Sequence, residues 1–403
     1  MPQNNTQPRS RDGFEIAIIC ALRTESDAVE ALFDQFWEEE VEYDKVRGDS
    51  NSYTLGRIGR HNVVLAYMPG MGKAASATVA GSFRASFPSI RLALIVGVCG
   101  GVPRDKAMNS DILLGDVIIS TGVVQFDFGR QLPDQVAPKD TLDDSMGRPN
   151  SEIRAFLHKI QGWHGRTEMG SSIVDNIAEI LTKPGFESWS YPGTQYDALF
   201  PAAYRHKHHT PNECMVCDKC VDDTYPVCQG ALLSECSLLQ CDLKNAELRA
   251  QNGGSQIDPQ SGERQITRSP LHYGLVASGD LVMRSAKRRN ELATLQNVIG
   301  FEMEGCGAWD TFPTVIIKGV CDYADSHKNK KWQKYAAVTA AAASQAFLRR
   351  WRGVERPVDK NADSLEQQQQ KDAPLSIRQA GSEFHGPTVV SGGMVFQGNY
   401  AGR

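Results

Sequence analysis

Apolar residues gather along this chain in short dense runs, and helix-like stretches separate the runs. Residues 14–20 (FEIAIIC), 92–98 (LALIVGV), 116–121 (DVIIST) and 314–320 (TVIIKGV) are rich in β-branched side chains and almost continuously apolar. That is the pattern of interior strands covered on both faces. Between the first two lies a hairpin, Ser52–Ile58 and His61–Tyr67, with Gly59 and Arg60 at its turn. Helical patterns fall at 26–37, at the small-residue run 74–81, at 151–160 and at the Ala-rich run 332–351, which ends in basic residues. Strands alternating with helices predict a mixed or parallel α/β sheet. Ligands of such sheets bind at the carboxyl ends of the strands.

Candidate chemistry sits at those ends. Residues 298–330 hold Glu302, Met303 and Glu304, a helix closed by Asp310 and Pro313, the apolar strand, and then Asp322 directly after it. Glu302 and Glu304 lie two apart, so in extended chain both face one side. Glu25 falls at the turn from the first strand into the first helix. Each acid also has a plainer reading, as a cap or as a partner of a helix N-terminus. Taken together around one strand end, they describe a site for a polyhydroxylated ligand and a proton transfer. Gly70 and Gly72 precede the small-residue helix, which suits close approach of an anion or a ribose. The spacing is neither a dinucleotide fingerprint nor a P-loop, and tight helix packing accounts for the small residues equally well. Gly100 and Gly101, after the 92–98 strand, would let backbone amides reach a pocket.

At 403 residues there is room for up to three domains, and the hydrophobic (41%) and charged (23%) fractions are those of a globular protein. A net charge of −5 gives no support for a nucleic-acid or anionic-membrane partner. Without a long apolar window or an apolar leader, a cytoplasmic location is expected. Ten cysteines then read as thiols or metal ligands. Six of them lie in 206–241: Cys214, Cys217, Cys220, Cys228, Cys236 and Cys241, with His206, His208 and His209 beside them. The C-x-x-C-x-x-C unit suits tetrahedral zinc, so the expected site is Cys214, Cys217, Cys220, His206 and His208, structural in role. The alternative is a set of unliganded thiols, since the later spacings match no compact finger. Residues 1–13 are expected to be disordered. Residues 353–403 read as a Gln-rich linker and a Gly-rich β-prone tail, in which two F-x-G units at 384–398 can pair with copies of themselves or form a plain disordered end.

Seven segments, IAIICALRTES, MPGMGKAA, LIVGVCGGVP, LLGDVIISTGVVQFDFG, LVASGD, FEMEG and GVCDYADSH, occur in the order expected of the nucleoside phosphorylase superfamily. The chain resembles its adenosine-type nucleosidases, and within the superfamily it is most similar to the phosphorylase-like domains of fungal NLR-type and ankyrin-type proteins. The resemblance covers roughly 14–130 and 270–350. It implies a three-layer fold over 14–352, a mixed central sheet flanked by helices, with a Cys/His-rich insertion at about 131–268. It also implies roles: Asp322 protonates purine N7, Glu304 binds the ribose hydroxyls with Met303 against the sugar, and Glu25 activates water. Gly97, Cys99 and Gly100 fall in the glycine-rich turn beside sugar and base. Asp280 opens the segment whose Leu281, Val282 and Met283 line the base. Val98 and Val282 depart from the nucleosidase pattern, which has a serine and often a phenylalanine there.

The implied reaction is cleavage of a purine N-glycosidic bond by water, without a catalytic cofactor, on an adenosine-type nucleoside or nucleotide. Phosphorolysis is the alternative, with Arg23 as the residue that would serve phosphate. A ligand-sensing or assembly module with little catalysis is the reading from outside the enzyme class. A basic run, Arg284, Lys287, Arg288 and Arg289, would meet phosphates at the ribose 5′ position or form a solvated helix face. Further copies of the chain and contacts through the tail are the other expected partners.

Overall fold

The apolar runs become strands of one sheet, and the helices between them cover its faces. In chain order these are β1 (Ile16–Cys20), α1 (Arg23–Glu30), β2 (Ser52–Ile58), β3 (His61–Tyr67), α2 (Lys73–Ser86), β4 (Leu92–Gly101) and β5 (Val117–Gln125). Then follow α3 (Ser151–Gln161), α4 (Trp163–Leu181), β6 (Leu271–Ser278), α5 (Ala286–Gln296), β7 (Val298–Glu302), α6 (Gly305–Trp309), β8 (Thr314–Asp322) and α7 (Gln333–Arg350). The structure, a computed structural model, describes residues 7–353 except 38–42, 107, 134–135, 140, 142, 223, 250–255, 258–263 and 266–270. The compact unit spans Met1–Arg352. The expected linker and the F-x-G units lie outside the described residues. Residues 7–13, expected to be disordered, are instead tied down: Arg11–Gly13 forms a 3-10 turn capped by Ser10, and Gln7 donates to the Trp37 carbonyl.

The sheet order is β7-β6-β5-β8-β4-β1-β3-β2, with a two-residue strand, Gln35–Phe36, on the β2 edge. β8, β4, β1 and β3 are parallel to one another, β5, β6 and β7 likewise, and the two sets meet antiparallel where β8 pairs with β5. The end of β7 also pairs antiparallel with the end of β4, Gly300 opposite Gly101 and Phe301 opposite Gly100. That pairing closes β4, β8, β5, β6 and β7 into a ring and brings the ends of β4, β7 and β8 to one hollow.

Helix α7 has no polar face. All its residues from Tyr335 to Leu348 are buried, as expected of a helix enclosed on every side. It lies between β8 and β4 on one side and α4 and α1 on the other, and Asn176 of α4 donates to the Ala342 carbonyl at 2.9 Å. The region 131–268 is therefore not a single insertion. Ile153, Leu157, Met169, Ile173 and Ile177 of α3 and α4 belong to the main core, whereas Cys217, Ala231 and Leu239 form a small cluster of their own. Among the described residues no helix is long and apolar enough to cross a membrane.

Candidate active site

Glu25 stands in the first turn of α1, where a carboxylate favours the positive helix end. Its Oε2 accepts from the amides of Ala21 and Leu22, both at 2.9 Å, and its Oε1 accepts from the Val98 amide of β4 at 2.8 Å. The capping reading and the site reading are thus met by one side chain. Only glycine fits beneath it, since a Cβ on Gly97 would lie 2.1 Å from Glu25 Oε1. In the parallel pairing of β8 with β4, Lys318 is the partner of Gly97. Burial pushes the Glu25 carboxyl above its ordinary value, and the Lys318 charge holds part of that rise back. Gly97→Ala is expected to displace Glu25 and cost about 1–3 kcal/mol of stability, the usual effect of overfilling a core, together with most activity. Thermal melts and the base-release assay described below check both.

Lys318 is 1% exposed, with its Nζ 2.9 Å from Glu304 Oε2 and 3.9 Å from Glu302 Oε2. Burial works against its charge, but Glu304, Glu25 and Glu302 outweigh that and hold the ammonium above lysine's ordinary range. Glu302 ends β7 and accepts from the amides of Glu304 and Gly305 at 2.9–3.0 Å, so it satisfies donors at the entry to α6, whose N-cap residue is Glu304. Burial raises its carboxyl to about 7, against the pull of Lys318 and with the push of Glu304. Glu304 has turned into helical backbone (φ −113°, ψ −31°), so the two glutamates do not share a face of extended chain as expected. Lys318 draws their carboxylates together instead.

Asp322 is aimed by an irregularity at the end of β8. Val320 is the partner of Cys99 and Asp322 of Gly100, so Cys321 has no partner in the pairing. A bulge of this kind redirects the side chain that follows. Ala324 then takes a left-handed backbone (φ 52°), which costs a non-glycine residue roughly 1 kcal/mol or more. Its amide donates to Asp322 Oδ1 at 2.8 Å. Gly100 makes room: a Cβ there would lie 3.0 Å from that oxygen and 2.9 Å from Ala324 Cβ. Lys328 reaches back with its Nζ 3.3 Å from Asp322 Oδ2.

These groups surround a cavity of about 220 Å³, lined by Glu25, Glu302, Met303, Glu304, Asp322 and Lys328 and also by Val98, Cys99, Gly100, Phe301 and the Leu281–Met283 segment. Several expectations change. Gly97 to Gly101 form strand, not turn, and their task is to clear space for Glu25 and Asp322. Asp280 is outside the lining; its Oδ1 accepts from the Lys73 amide at 2.7 Å, so the N-terminus of α2 is already occupied. The basic run is dispersed: Arg289 is buried and donates to the Tyr323 carbonyl, while Arg288 pairs with Glu291. Arg23 has a side chain 93% exposed, 3.8 Å from Asp27, and does not line the cavity. Lys318 and Lys328 are the site groups that the sequence reading passed over.

The expected five-residue metal set also divides. The ligand atoms of Cys214, Cys217 and Cys228 lie within 4.8 Å of one another, and those of His206, Cys236 and Cys241 do the same elsewhere. Cys220 joins neither group, its thiol facing the carbonyls of Asp222 and Tyr225 at 3.6 Å.

Residues 15–159 match the Phosphorylase superfamily, a span that holds the first four of the seven ordered segments. A relative, the nucleotide-binding leucine-rich repeat (NLR)-like protein of Hyaloscypha variabilis, is 30% identical over 341 residues. The alignment covers 83% of this chain, and the chain spans 29% of that relative's length. Among solved structures the chain is similar to the 5′-methylthioadenosine/S-adenosylhomocysteine nucleosidase of Neisseria meningitidis (15% identity, 84% of this chain and 99% of that one, TM-score 0.45). It is also similar to the futalosine hydrolase of Helicobacter pylori (14% identity, 84% and 99%, TM-score 0.46). At such values neither structure bears on the chemistry of this chain.

Proposed function

We propose that this chain, whose residues 15–159 fall within the phosphorylase superfamily, hydrolyses the N-glycosidic bond of purine nucleosides or nucleotides. The observation that carries the reading is the balance of charge in the cavity. Glu25, Glu302, Glu304 and Asp322 line it; among the described lining residues the one cation is Lys328, already 3.3 Å from Asp322, and Lys318 behind the lining is taken up by Glu304 and Glu302. A phosphate dianion would meet carboxylates there; a water would meet a base. Close like charges in a poorly solvated site disfavour each other strongly.

A purine leaves readily only when its departing electron pair is met by a proton. Asp322 supplies that proton at the base, and Lys328 beside it provides a second donor at the rim. As the C1′–N bond breaks, positive charge grows on the ribose. Glu304 accepts hydrogen bonds from the ribose hydroxyls, and its charge, fixed in place by Lys318, lies where that positive charge develops. Water then adds to C1′ and passes a proton to Glu25, whose raised pKa makes it the stronger base. The products are a neutral purine and a free sugar. The name of the Hyaloscypha relative supports placing this activity in an effector module of a larger NLR-type protein.

A panel of purine and pyrimidine nucleosides and nucleotides, scored for free base by chromatography, tests the substrate class. Base should appear from purine substrates alone. Release from none of them, by protein with a native melting transition, would contradict the reading.

A further inference from the structure

We propose that residues 206–241 hold two zinc-class ions, and that the second, on His206, Cys236 and Cys241, is a strut under the loop that carries Asp322 and Lys328. Tetrahedral zinc with thiolate bonds of about 2.3 Å sets its ligand atoms nearly 4 Å apart. Both three-residue groups match that scale, with every ligand atom within 4.8 Å of the others in its group. None of these cysteines is in a disulfide. Soft thiolate and imidazole donors in one cluster select zinc over the hard cations.

The first group is built from a helical turn, Met215–Asp218, with Cys214 before it and Cys217 inside it, and from Cys228 at the start of the next helix. His208 is the candidate fourth ligand. Its Nε2 and the Cys228 Sγ lie 4.0 and 3.8 Å from the same point, the place where a Cβ on Gly230 would stand. Its Nδ1 is 3.0 Å from Glu213 Oε1, the outer carboxylate that often orients a ligating histidine.

The second group reaches the active site. Cys236 and Cys241 bracket a short helix that a left-handed Gln240 closes, and His206 is buried beside them. The Cys236 thiol donates to the His327 carbonyl at 3.6 Å, and the His206 ring meets the His327 ring edge-on at 5.0 Å. His327 Nε2 is buried with no hydrogen-bond partner among the described residues, which makes it the candidate for the fourth position. Phe200 stacks on the same ring at 4.2 Å. Four residues earlier in the loop, the Tyr323 hydroxyl donates to Asp197 at 2.6 Å. The Cys/His segment therefore grips the loop at His327, the chain just ahead of it holds Tyr323 through Asp197, and Lys328 follows directly.

Metal analysis of the full chain, purified without chelator, should give about two equivalents of zinc, and Cys228→Ser and Cys241→Ser should each retain about one. Amide exchange over residues 323–331 should quicken in Cys241→Ser and stay at the parental rate in Cys228→Ser. If Cys241→Ser does not fold, chelator titration of the parental chain reads the same coupling, with loop exchange rising as the second equivalent leaves. Zinc well below half an equivalent after reconstitution overturns both sites. One equivalent that Cys241→Ser keeps, or loop exchange indifferent to loss of the second ion, overturns the strut. None of these readouts depends on catalysis, so the result is separate from the fate of the proposed reaction.

Discussion

Asp322→Asn is expected to lower purine release by ~10²–10⁴-fold, the usual worth of a general acid, and to leave the fold intact. The asparagine carbonyl can replace Oδ1 as acceptor of the Ala324 amide, so the bulge and the left-handed Ala324 keep their anchor. What is lost is the group that can deliver a proton, and with it the carboxyl partner of Lys328, whose side chain is 26% exposed and can turn to water. Melting temperature should therefore stay close to parental while the rate collapses. Binding of a non-hydrolysable purine nucleoside analogue should persist, because Glu304 and Met303 are untouched. Turnover of purine substrates at the parental rate by the variant would remove Asp322 from the mechanism.

Lys318→Met is expected to destabilise the protein by about 3–5 kcal/mol at neutral pH, the range for breaking a buried ion pair from one side. Methionine fills much of the same volume in β8, so the cost is electrostatic: Glu304 and Glu302 lose the Lys318 charge that offsets their burial. The pH dependence separates this from a packing defect. Glu302 has a folded pKa of about 7, above its ordinary value of 4.5, so between those values the native state holds a proton that the unfolded chain has released. Stability from this group accordingly falls as pH rises through that window, by up to about 1.4 kcal/mol per pH unit. Without Lys318 the carboxyl holds its proton still more tightly, so the variant should regain stability on acidification over a wider range than the parent. Chemical denaturation from pH 5 to 8 reads this directly. A pH-independent loss, or a loss below about 1 kcal/mol, would mean that the lysine does not balance these acids.

Four strands of the sheet were legible because they are continuous apolar runs, and the hairpin because its turn residues punctuate an alternating pattern; β6 and β7 were not read as strands. β4 and β8 extend further than their apolar cores suggest, since glycines and an aspartate in them serve close approach to the site. Lys318 carried a signal that apolarity masked: a charge inside an interior strand needs a partner, and the nearby glutamates were the candidates. Lys328 carried none, because it opens a polar run (KNKK) that reads as solvated loop. The third amide on Glu25 comes from Val98, 73 residues away, and only the β1–β4 pairing brings it there. Cysteine spacing did not show which thiols come together, for a similar reason. Short helices fold Cys228 back onto Cys214 and Cys217, past the nearer Cys220.

The nucleophile is the point on which the functional reading turns, and one assay decides it. Wild-type protein and Glu25→Gln are incubated with a purine substrate in phosphate-free buffer, then with added phosphate, and the sugar product is identified. The geometry predicts a free purine and a free sugar from the wild type without phosphate, no gain from adding it, and loss of release in Glu25→Gln with analogue binding retained. Strict dependence on phosphate, with ribose 1-phosphate as the product, would contradict the hydrolytic reading and make the chain a phosphorylase.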